Sequence, residues 1–330
     1  MAGNAFDLVR QLAASQYLVR ALHVVTELGV ADHLGDQPST PERLAQQVGA
    51  DADALGRLLR LLSSRGIFLC EGGTVTHTDA SRLLGSAHPA SLRAFVLMFA
   101  QPIQWQMAGD LMHAVRTGEA VAERAHPGGL WSYFQAFPEF GRVFDAAMAA
   151  KAGAQVAAIL ATYDFSDLGT VVDVGGGGGH LLRGILGNHA GTKGVLFDLP
   201  AVVEGARRAG PNDRLTFAPG DFFTTPIPAG DAVILMEVLH DWDDASCHRI
   251  LEAVRRSMPV GGRLLVIETE VPEGNGPDWS KLLDIVMLAA FSARQRTEAE
   301  YAALLAADGF LMRKRIETPA GISIFEAEAV

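Results

Sequence analysis

The chain has 330 residues, of which 49% are hydrophobic and 20% charged, and its formal net charge is −11 at pH 7. This size allows a large core and favours two domains, while the acidic balance argues against a nucleic-acid partner or an anionic membrane surface. The two cysteines, Cys70 and Cys247, have neither a disulfide framework nor a metal-ligand spacing, and the first ten residues lack a secretory signal pattern. We therefore expect a cytoplasmic protein with reduced thiols and no metal.

The first 110 residues predict helices followed by a small hairpin. Apolar residues recur at helical spacing over 6–28, and Thr40-Pro41 and Asp51 are typical helix starts. Two short strands, predicted at 67–70 and 75–78, flank a Gly72-Gly73 turn. Helices followed by a hairpin are the pattern of a winged-helix domain.

A winged helix raises the question of DNA binding. Arg57, Arg60 and Arg65 lie on or next to the predicted recognition helix, but acidic residues precede them and the whole chain is acidic. DNA binding normally needs a concentrated basic face. We favour a dimerisation and substrate-lid role, because 94–111 and 148–160 are rich in apolar side chains that can contact a partner chain. The glutamines and proline within 94–109 indicate a buried helical segment, not a membrane span.

The strongest functional signal is a glycine run after a predicted strand. Residues 171–182 read VVDVGGGGGHLL, in which an apolar strand runs through Asp173 into five glycines and a helix start. Such a turn brings bare backbone and a helix N-terminus up to a ligand. The dinucleotide fingerprint needs a glycine five positions after Gly175, where this chain has His180. The spacing D-x-G-x-G-x-G, which includes Gly177, is the one that methyltransferases place under the methionine end of S-adenosylmethionine (SAM).

Two later strands also end in acids. The run GVLFDL ends at Asp198, where a carboxylate can accept both hydroxyls of a ribose. The run LTFAPGDFF ends in Asp221 and Phe222, which suit an adenine amine and an adenine ring. Any one of these acids alone is better explained as a helix cap or a solvated turn. Three such acids in this order, each closing an apolar strand, predict a SAM site.

From about residue 165 onward, predicted strands and helices alternate. The further strands at 232–235 and 264–268, and an antiparallel pair near 311–327, complete a doubly wound α/β domain. Ligands of such domains bind beyond the carboxyl ends of the strands. The predicted organisation is a winged-helix dimerisation domain over 1–110, linking helices that contribute to the substrate pocket over 111–163, and a Rossmann-like SAM-binding domain over 164–330.

The fourth and fifth strands end in a candidate catalytic pair. His240 follows the fourth strand, and its intrinsic pKa of about 6.5 suits a general base. Glu268 ends the neighbouring strand, where its carboxylate can fix the histidine tautomer and stabilise the imidazolium. The alternatives are a surface histidine and an ordinary loop acid.

The motifs DVGGGGG, VLFDLP, GDFF, VLHDWDD, VIE and RTEAEYAALLAADGF, in this order after a winged-helix half, resemble those of a known family. It is the family of small-molecule O-methyltransferases related to plant caffeic acid and flavonoid methyltransferases, with bacterial relatives that modify polyketides and phenazines. The resemblance covers nearly the whole chain. It implies a metal-independent homodimer that uses the histidine of HDW as a base.

Motifs and resemblance together give the expected site residues. The catalytic set is His240, Glu268 and Gln295; the cofactor set is Asp173, Gly175, Gly177, Asp198, Leu199, Asp221, Phe222 and Met236; the acceptor set is Phe144, Met148, Asp241, Met287 and Phe291.

Two positions depart from the family pattern. Plant members carry a basic residue four positions before the histidine, where this chain has Met236, so a cofactor contact is lost or replaced. Gln295 stands where the family tends to have a second acid at the catalytic site. An amide can bond the imidazole without offsetting its charge, which costs about 1 kcal/mol. A phenol tolerates this loss better than an aliphatic alcohol.

We therefore expect methyl transfer from SAM to a hydroxyl of a flat aromatic acceptor, releasing S-adenosylhomocysteine (SAH). One alternative within the same fold is C-methylation, hydroxylation or pericyclic chemistry. Two others are a DNA-binding regulator with a vestigial SAM domain, and a dehydrogenase.

Overall fold

The computed structural model describes residues 4–330, which divide into two compact units. One unit comprises the described residues up to Ala108 together with Trp131–Lys151, and the other comprises Gly109–Leu130 and Ala152–Val330. The predicted linking segment, 111–163, therefore contributes to both units.

Helices and strands cover most of the described chain. The helices are α1 (Ala5–Ala13), α2 (Ser15–Glu27), α3 (Val30–Leu34), α4 (Pro41–Val48), α5 (Ala52–Ser63), α6 (Asp79–Arg82), α7 (Arg93–Ala100), α8 (Pro102–Gly109), α9 (Leu111–Thr117), α10 (Val121–Ala125), α11 (Gly129–Ala136), α12 (Pro138–Thr162), α13 (His180–Asn188), α14 (Pro200–Arg207), α15 (Asp244–Arg256), α16 (Trp279–Phe291) and α17 (Glu298–Ala307). The strands are β1 (Phe68–Glu71), β2 (Thr74–His77), β3 (Thr170–Val174), β4 (Lys193–Asp198), β5 (Leu215–Pro219), β6 (Ala232–Met236), β7 (Arg263–Glu268), β8 (Phe310–Glu317) and β9 (Ser323–Ala329). A 3-10 turn, Leu239–Asp241, follows β6.

The winged-helix prediction for the first unit is confirmed. The Thr40 hydroxyl accepts from the third N–H of α4, and the Asp51 carboxylate caps α5 in the same way. Strands β1 and β2 form an antiparallel hairpin, each one residue away from its predicted position. Gly72 and Gly73 turn this hairpin at φ angles of 56° and 80°. The core beneath it includes Leu44, Leu55, Leu59, Leu62, Phe68 and Val75.

The prediction of a buried helical segment over 94–109 is confirmed only in part. It forms two helices, α7 and α8, because Pro102 cannot donate to the preceding turn and Gln101 adopts an extended conformation. Met98, Ile103 and Met107 are its buried apolar side chains and Gln101 its buried polar one, whereas its other residues are partly or fully exposed. The N-terminal helices α1 and α2 are more exposed still. Their exposed apolar side chains are Phe6, Leu8, Val9, Leu12, Tyr17 and Val19.

Helix α12 is long and apolar. Within residues 4–330 it is the one helix with the length and composition to cross a membrane, because its 25 residues include an 18-residue window with a mean hydropathy of 1.4. Core helices of soluble proteins have the same length and composition. The helix is therefore weak evidence for a membrane span.

The second unit is built on a seven-stranded sheet in the order β5-β4-β3-β6-β7-β9-β8. The first five strands in this order are parallel, and β9 runs antiparallel to both of its neighbours. All seven predicted strands and the doubly wound class are confirmed. The strand order reverses between β3 and β6, and ligands of such sheets bind at that crevice, beyond the carboxyl ends of the strands.

Candidate active site

The glycine turn joins the end of β3 to the start of α13. Gly175, Gly177 and Gly179 have φ angles of 71°, 57° and 71°, a conformation that residues with a Cβ rarely adopt. The N–H of Gly175 donates to the Phe197 carbonyl at 2.8 Å, and the N–H of Gly177 donates to the Asp198 carboxylate at 2.8 Å. These bonds hold the turn against the end of β4.

Gly176 is the tightest position in this turn. A Cβ at Gly176 would lie 2.4 Å from the carboxyl carbon of Asp173 and 2.5 Å from a methyl of Leu196. We expect Gly176→Ala to destabilise the protein by about 1–3 kcal/mol, the usual effect of overpacking. Gly187→Ala is the matched control, because a Cβ there meets no atom within 4 Å and helical alanine is favoured. Thermal unfolding of both variants tests this, and equal melting temperatures would contradict it.

Two acids meet under the glycine turn. Asp173 is buried, and its Oδ1 has no hydrogen-bond partner within residues 4–330. Burial, reinforced by the charge of Asp198, raises the pKa of Asp173 to about 7. Burial also raises the pKa of Asp198, against the effect of the N–H groups of Gly177 and Leu199 that its carboxylate accepts. A cationic ligand group is the natural partner for the orphaned oxygen.

The adenine end of the predicted cofactor site lies after β5. The Asp221 carboxylate accepts the N–H two residues on at 2.8 Å, which leaves lone pairs for an amine. Phe222 lies edge-to-face with Trp242, with ring centroids 5.8 Å apart. Leu199 is exposed next to Asp198, and Met236 lies half-buried at the end of β6. These residues, with the glycine turn, fit a nucleoside cofactor that carries an ammonium group.

Glu268 organises the turn that carries His240. One oxygen of this buried carboxylate accepts the N–H groups of Val238, Leu239 and His240 at 3.1, 2.9 and 3.3 Å. The other lies 2.6 Å from Nδ1 of the His240 ring. A carboxylate accepts but cannot donate, so the ring proton lies on Nδ1 and the neutral ring has its lone pair on Nε2. The Glu268 carboxylate therefore fixes the orientation and the tautomer of the neutral imidazole.

Asp241 gives the ring a second acidic neighbour. Its carboxylate lies 3.3 Å from Nε2 of His240. Burial lowers the pKa of His240, but the negative charges of Glu268 and Asp241 outweigh it and raise the pKa well above its usual value. Asp241 belongs to the expected acceptor set, whereas in the structure its carboxylate lies next to the imidazole of His240.

The side chain of Gln295 makes no hydrogen bond to the imidazole in the structure, and its role in catalysis stays a prediction. Gln295 is buried, and its backbone N–H donates to Asp284 at 2.8 Å, but neither atom of its side-chain amide has a partner within residues 4–330. The carboxylates of Glu268 and Asp241 instead lie 2.6 and 3.3 Å from Nδ1 and Nε2 of His240.

Arg296 contacts the same turn and is not among the site residues expected from the sequence. Its guanidinium donates to the carbonyls of Leu239 and Trp242, on either side of His240. The sequence signal was its position directly after Gln295, in a segment already assigned to the catalytic site.

The predicted acceptor residues fall in both units. Met287 is buried on α16, in a small apolar cluster with Phe291, and α16 packs against the 3-10 turn. Phe144 and Met148 lie on the part of α12 that belongs to the first unit. There Phe144 lies edge-to-face with Trp131 at 5.5 Å. The roles of these four residues stay predictions. Among the described residues 4–330, no group of three or more histidine, cysteine or acidic side chains is placed to hold a metal ion.

The sheet order, the glycine turn and the acids at the strand ends define a SAM-binding methyltransferase. The family model of the O-methyltransferase domain matches residues 108–311, and that of the O-methyltransferase dimerisation domain matches residues 10–86. The chain belongs to this O-methyltransferase family.

Individual relatives match this chain over nearly its whole length. The chain is 37% identical to a phenazine O-methyltransferase from Lysobacter antibioticus, covering 98% of this chain and 96% of that protein. It superimposes with a TM-score of 0.89, at 35% identity and full coverage of both chains, on a SAH-bound methyltransferase of calicheamicin biosynthesis. An O-methyltransferase of neocarzinostatin biosynthesis, solved with SAM and 2-hydroxy-5-methyl naphthoic acid, gives a TM-score of 0.79 at 33% identity, covering 94% of this chain and 96% of that one.

The protein is therefore a SAM-dependent O-methyltransferase. Its Rossmann-like domain and its mainly helical dimerisation domain agree with the expected fold class. The dehydrogenase and regulator alternatives have no support in these comparisons.

Proposed function

We propose that this enzyme methylates a hydroxyl of a small aromatic natural product, with His240 as general base and without a metal. The observation that carries the proposal is the 2.6 Å contact between Glu268 and Nδ1 of His240, at the carboxyl end of β6 beside the glycine turn. The phenazine and naphthoic acid in the names of two relatives support a flat aromatic acceptor.

Bound SAM supplies an electrophilic methyl carbon. Nε2 of His240 takes the proton of the acceptor hydroxyl, and the oxygen becomes a stronger nucleophile. Glu268 keeps the Nδ1 proton in place and stabilises the imidazolium that forms. Asp241, at 3.3 Å from Nε2, adds a negative charge next to the ring. In the family this charge tends to come from an acid at the position of Gln295. The apolar side chains of Met287 and Phe291 exclude water from the acceptor.

The same proposal includes a homodimer that works in the cytoplasm. The match to a dimerisation domain supports the dimer, as does the exposed apolar surface of α1 and α2. The cytoplasmic location is supported by Cys70 and Cys247, which are both free thiols.

Incubation with SAM and a panel of phenols and naphthols tests the reaction, with mass spectrometry of the products. An O-methyl product that persists in excess chelator is expected. SAM consumed without such a product would favour C-methylation, hydroxylation or pericyclic chemistry. Loss of activity with the chelator, restored by added metal, would contradict metal independence.

The raised pKa of His240 predicts a pH dependence of definite sign. A base must be unprotonated, so kcat/KM for the acceptor should fall as the pH drops through that raised pKa. Asp241→Asn removes one of the charges that raise the pKa, so the acid limb should move to lower pH. Asp243→Asn is the matched control, because its side chain caps α15 and should leave the profile in place. A profile that does not move in Asp241→Asn would contradict this role of Asp241.

A further inference from the structure

Arg296 is a buried cation beneath the histidine turn, which we define as residues 238–242. Its side chain is 2% exposed. Nη1 donates to the Leu239 carbonyl at 2.9 Å, and Nη2 donates to the Trp242 carbonyl at 3.1 Å. Nη2 and Nε also donate to one oxygen of Asp244 at 2.6 and 3.2 Å. The guanidinium therefore joins both ends of the turn to the start of α15.

The histidine turn is held in two complementary ways. Glu268 accepts its N–H groups, and Arg296 donates to its carbonyl groups. The thiol of Cys247 lies 3.2 Å from the Leu239 carbonyl and donates a further bond there. Burying a guanidinium is costly unless its donors are satisfied, and the planar fork of arginine suits two acceptors at fixed separation.

We propose that Arg296 is a positioning residue for methyl transfer, which fixes the backbone on both sides of His240 and so aims Nε2 at the acceptor hydroxyl. This inference rests on the proposed role of His240 as the base. Arg296 itself acts only through the turn. Misplacing a catalytic group by about 1 Å can lower a rate by about a hundredfold, which sets the expected size of the effect.

The first test compares Arg296→Met and Arg296→Lys with Arg294→Met. Arg294 is the matched control, because it precedes Gln295, is half-exposed and pairs with Glu300. We expect kcat to fall by about a hundredfold in Arg296→Met and by less in Arg296→Lys, which keeps the charge and one or two of the bonds. Affinity for SAH by calorimetry should stay within about fivefold. Unchanged kcat in folded Arg296→Met would overturn the inference.

A double-mutant cycle with His240→Ala separates positioning from a general structural role. If Arg296 acts through the imidazole, Arg296→Met should lower kcat by less than about threefold once His240 is alanine. A loss that is as large in the His240→Ala background as in the wild type would overturn the inference and leave His240 as the base. Unchanged turnover in His240→Ala alone would instead overturn the base and, with it, the positioning role.

A second pair of variants covers the case in which Arg296→Met fails to fold. Asp244→Asn weakens the hold on the guanidinium at an exposed carboxylate, and Asp243→Asn is the control one residue away. We expect Asp244→Asn to lower kcat about tenfold, the rate equivalent of one charge-assisted hydrogen bond, with an unchanged KM for SAM. Equal kcat values for the two variants would overturn the inference.

Discussion

His240→Ala is expected to lower turnover by about a hundredfold or more, while affinity for SAH stays within a few-fold. The reason is that Glu268 holds Nδ1, so Nε2 is the ring atom that can take a proton from the acceptor. Alanine removes this atom but leaves Glu268 with the three N–H groups of the turn. Single-turnover rates and calorimetry with SAH measure the two effects separately.

His248→Ala is the matched control for this variant. His248 lies on α15, its side chain is 44% exposed and its partner is Asp308, so turnover should not change. Acceptors with more acidic hydroxyls should lose less rate in His240→Ala, because they need less help in giving up the proton. Unchanged turnover in His240→Ala would remove the imidazole from the mechanism. An equal loss for acidic and weakly acidic phenols would assign it a role other than proton transfer.

The fold was largely predictable, because the signals that specify its elements are local. The caps at Thr40 and Asp51 predict helix starts from two or three residues, and the structure has both. The apolar runs at β3, β6 and β7 predict buried parallel strands from their composition alone. The break between α7 and α8 was missed, although Pro102 is a local signal, because the apolar character of the segment outweighed it.

The contacts around the imidazole were only partly predictable. Adjacent parallel strands predict that Glu268 lies near His240, because Glu268 ends β7 and His240 follows the carboxyl end of the neighbouring β6. The contact of Asp241 with Nε2 depends instead on the 3-10 turn at this point, which no spacing in the sequence specifies. Arg296 reaches the turn from 57 residues further along the chain, so its role depends on how α17 and its preceding segment pack.

The missing hydrogen-bond partners of the Gln295 side chain likewise depend on packing and not on a local sequence pattern. Its position after α16 is fixed by Asp284, which accepts its backbone N–H, and by the bonds of Arg296 next to it. A sequence motif gives the residue type at this position but not the direction of its side chain. The motif therefore could not show that the amide of Gln295 makes no hydrogen bond to the ring in the structure.

Asp173→Asn is expected to weaken cofactor binding and stabilise the protein at the same time. The carboxylate is buried with Oδ1 unpartnered, and its pKa is raised to about 7, above an unfolded value of about 3.9. A carboxyl group with a raised folded pKa contributes stability below pH 4 and loses it as the pH rises through about 7. At pH 8 the wild type must bury a charge that asparagine avoids, a difference of up to about 4 kcal/mol.

The gain in stability should therefore be largest above pH 7 and should shrink steadily as the pH falls towards 4. Cofactor binding should change in the opposite direction, because asparagine cannot pair with the ammonium of the methionine end. Losing one partner of a buried charge pair costs about 2–5 kcal/mol, so the Kd for SAH should rise at least about thirtyfold. Unfolding scans at several pH values and calorimetry measure both effects.

Asp213→Asn is the control, because this exposed aspartate should leave both quantities unchanged. Wild-type affinity for SAH in Asp173→Asn would show that the orphaned oxygen serves the turn and not the ligand. A loss of affinity without a gain in stability would mean that the carboxylate is already neutral or solvated in the free protein. The two opposite changes together would explain why this site keeps a buried carboxylate: its charge destabilises the free protein and is offset when the cation binds.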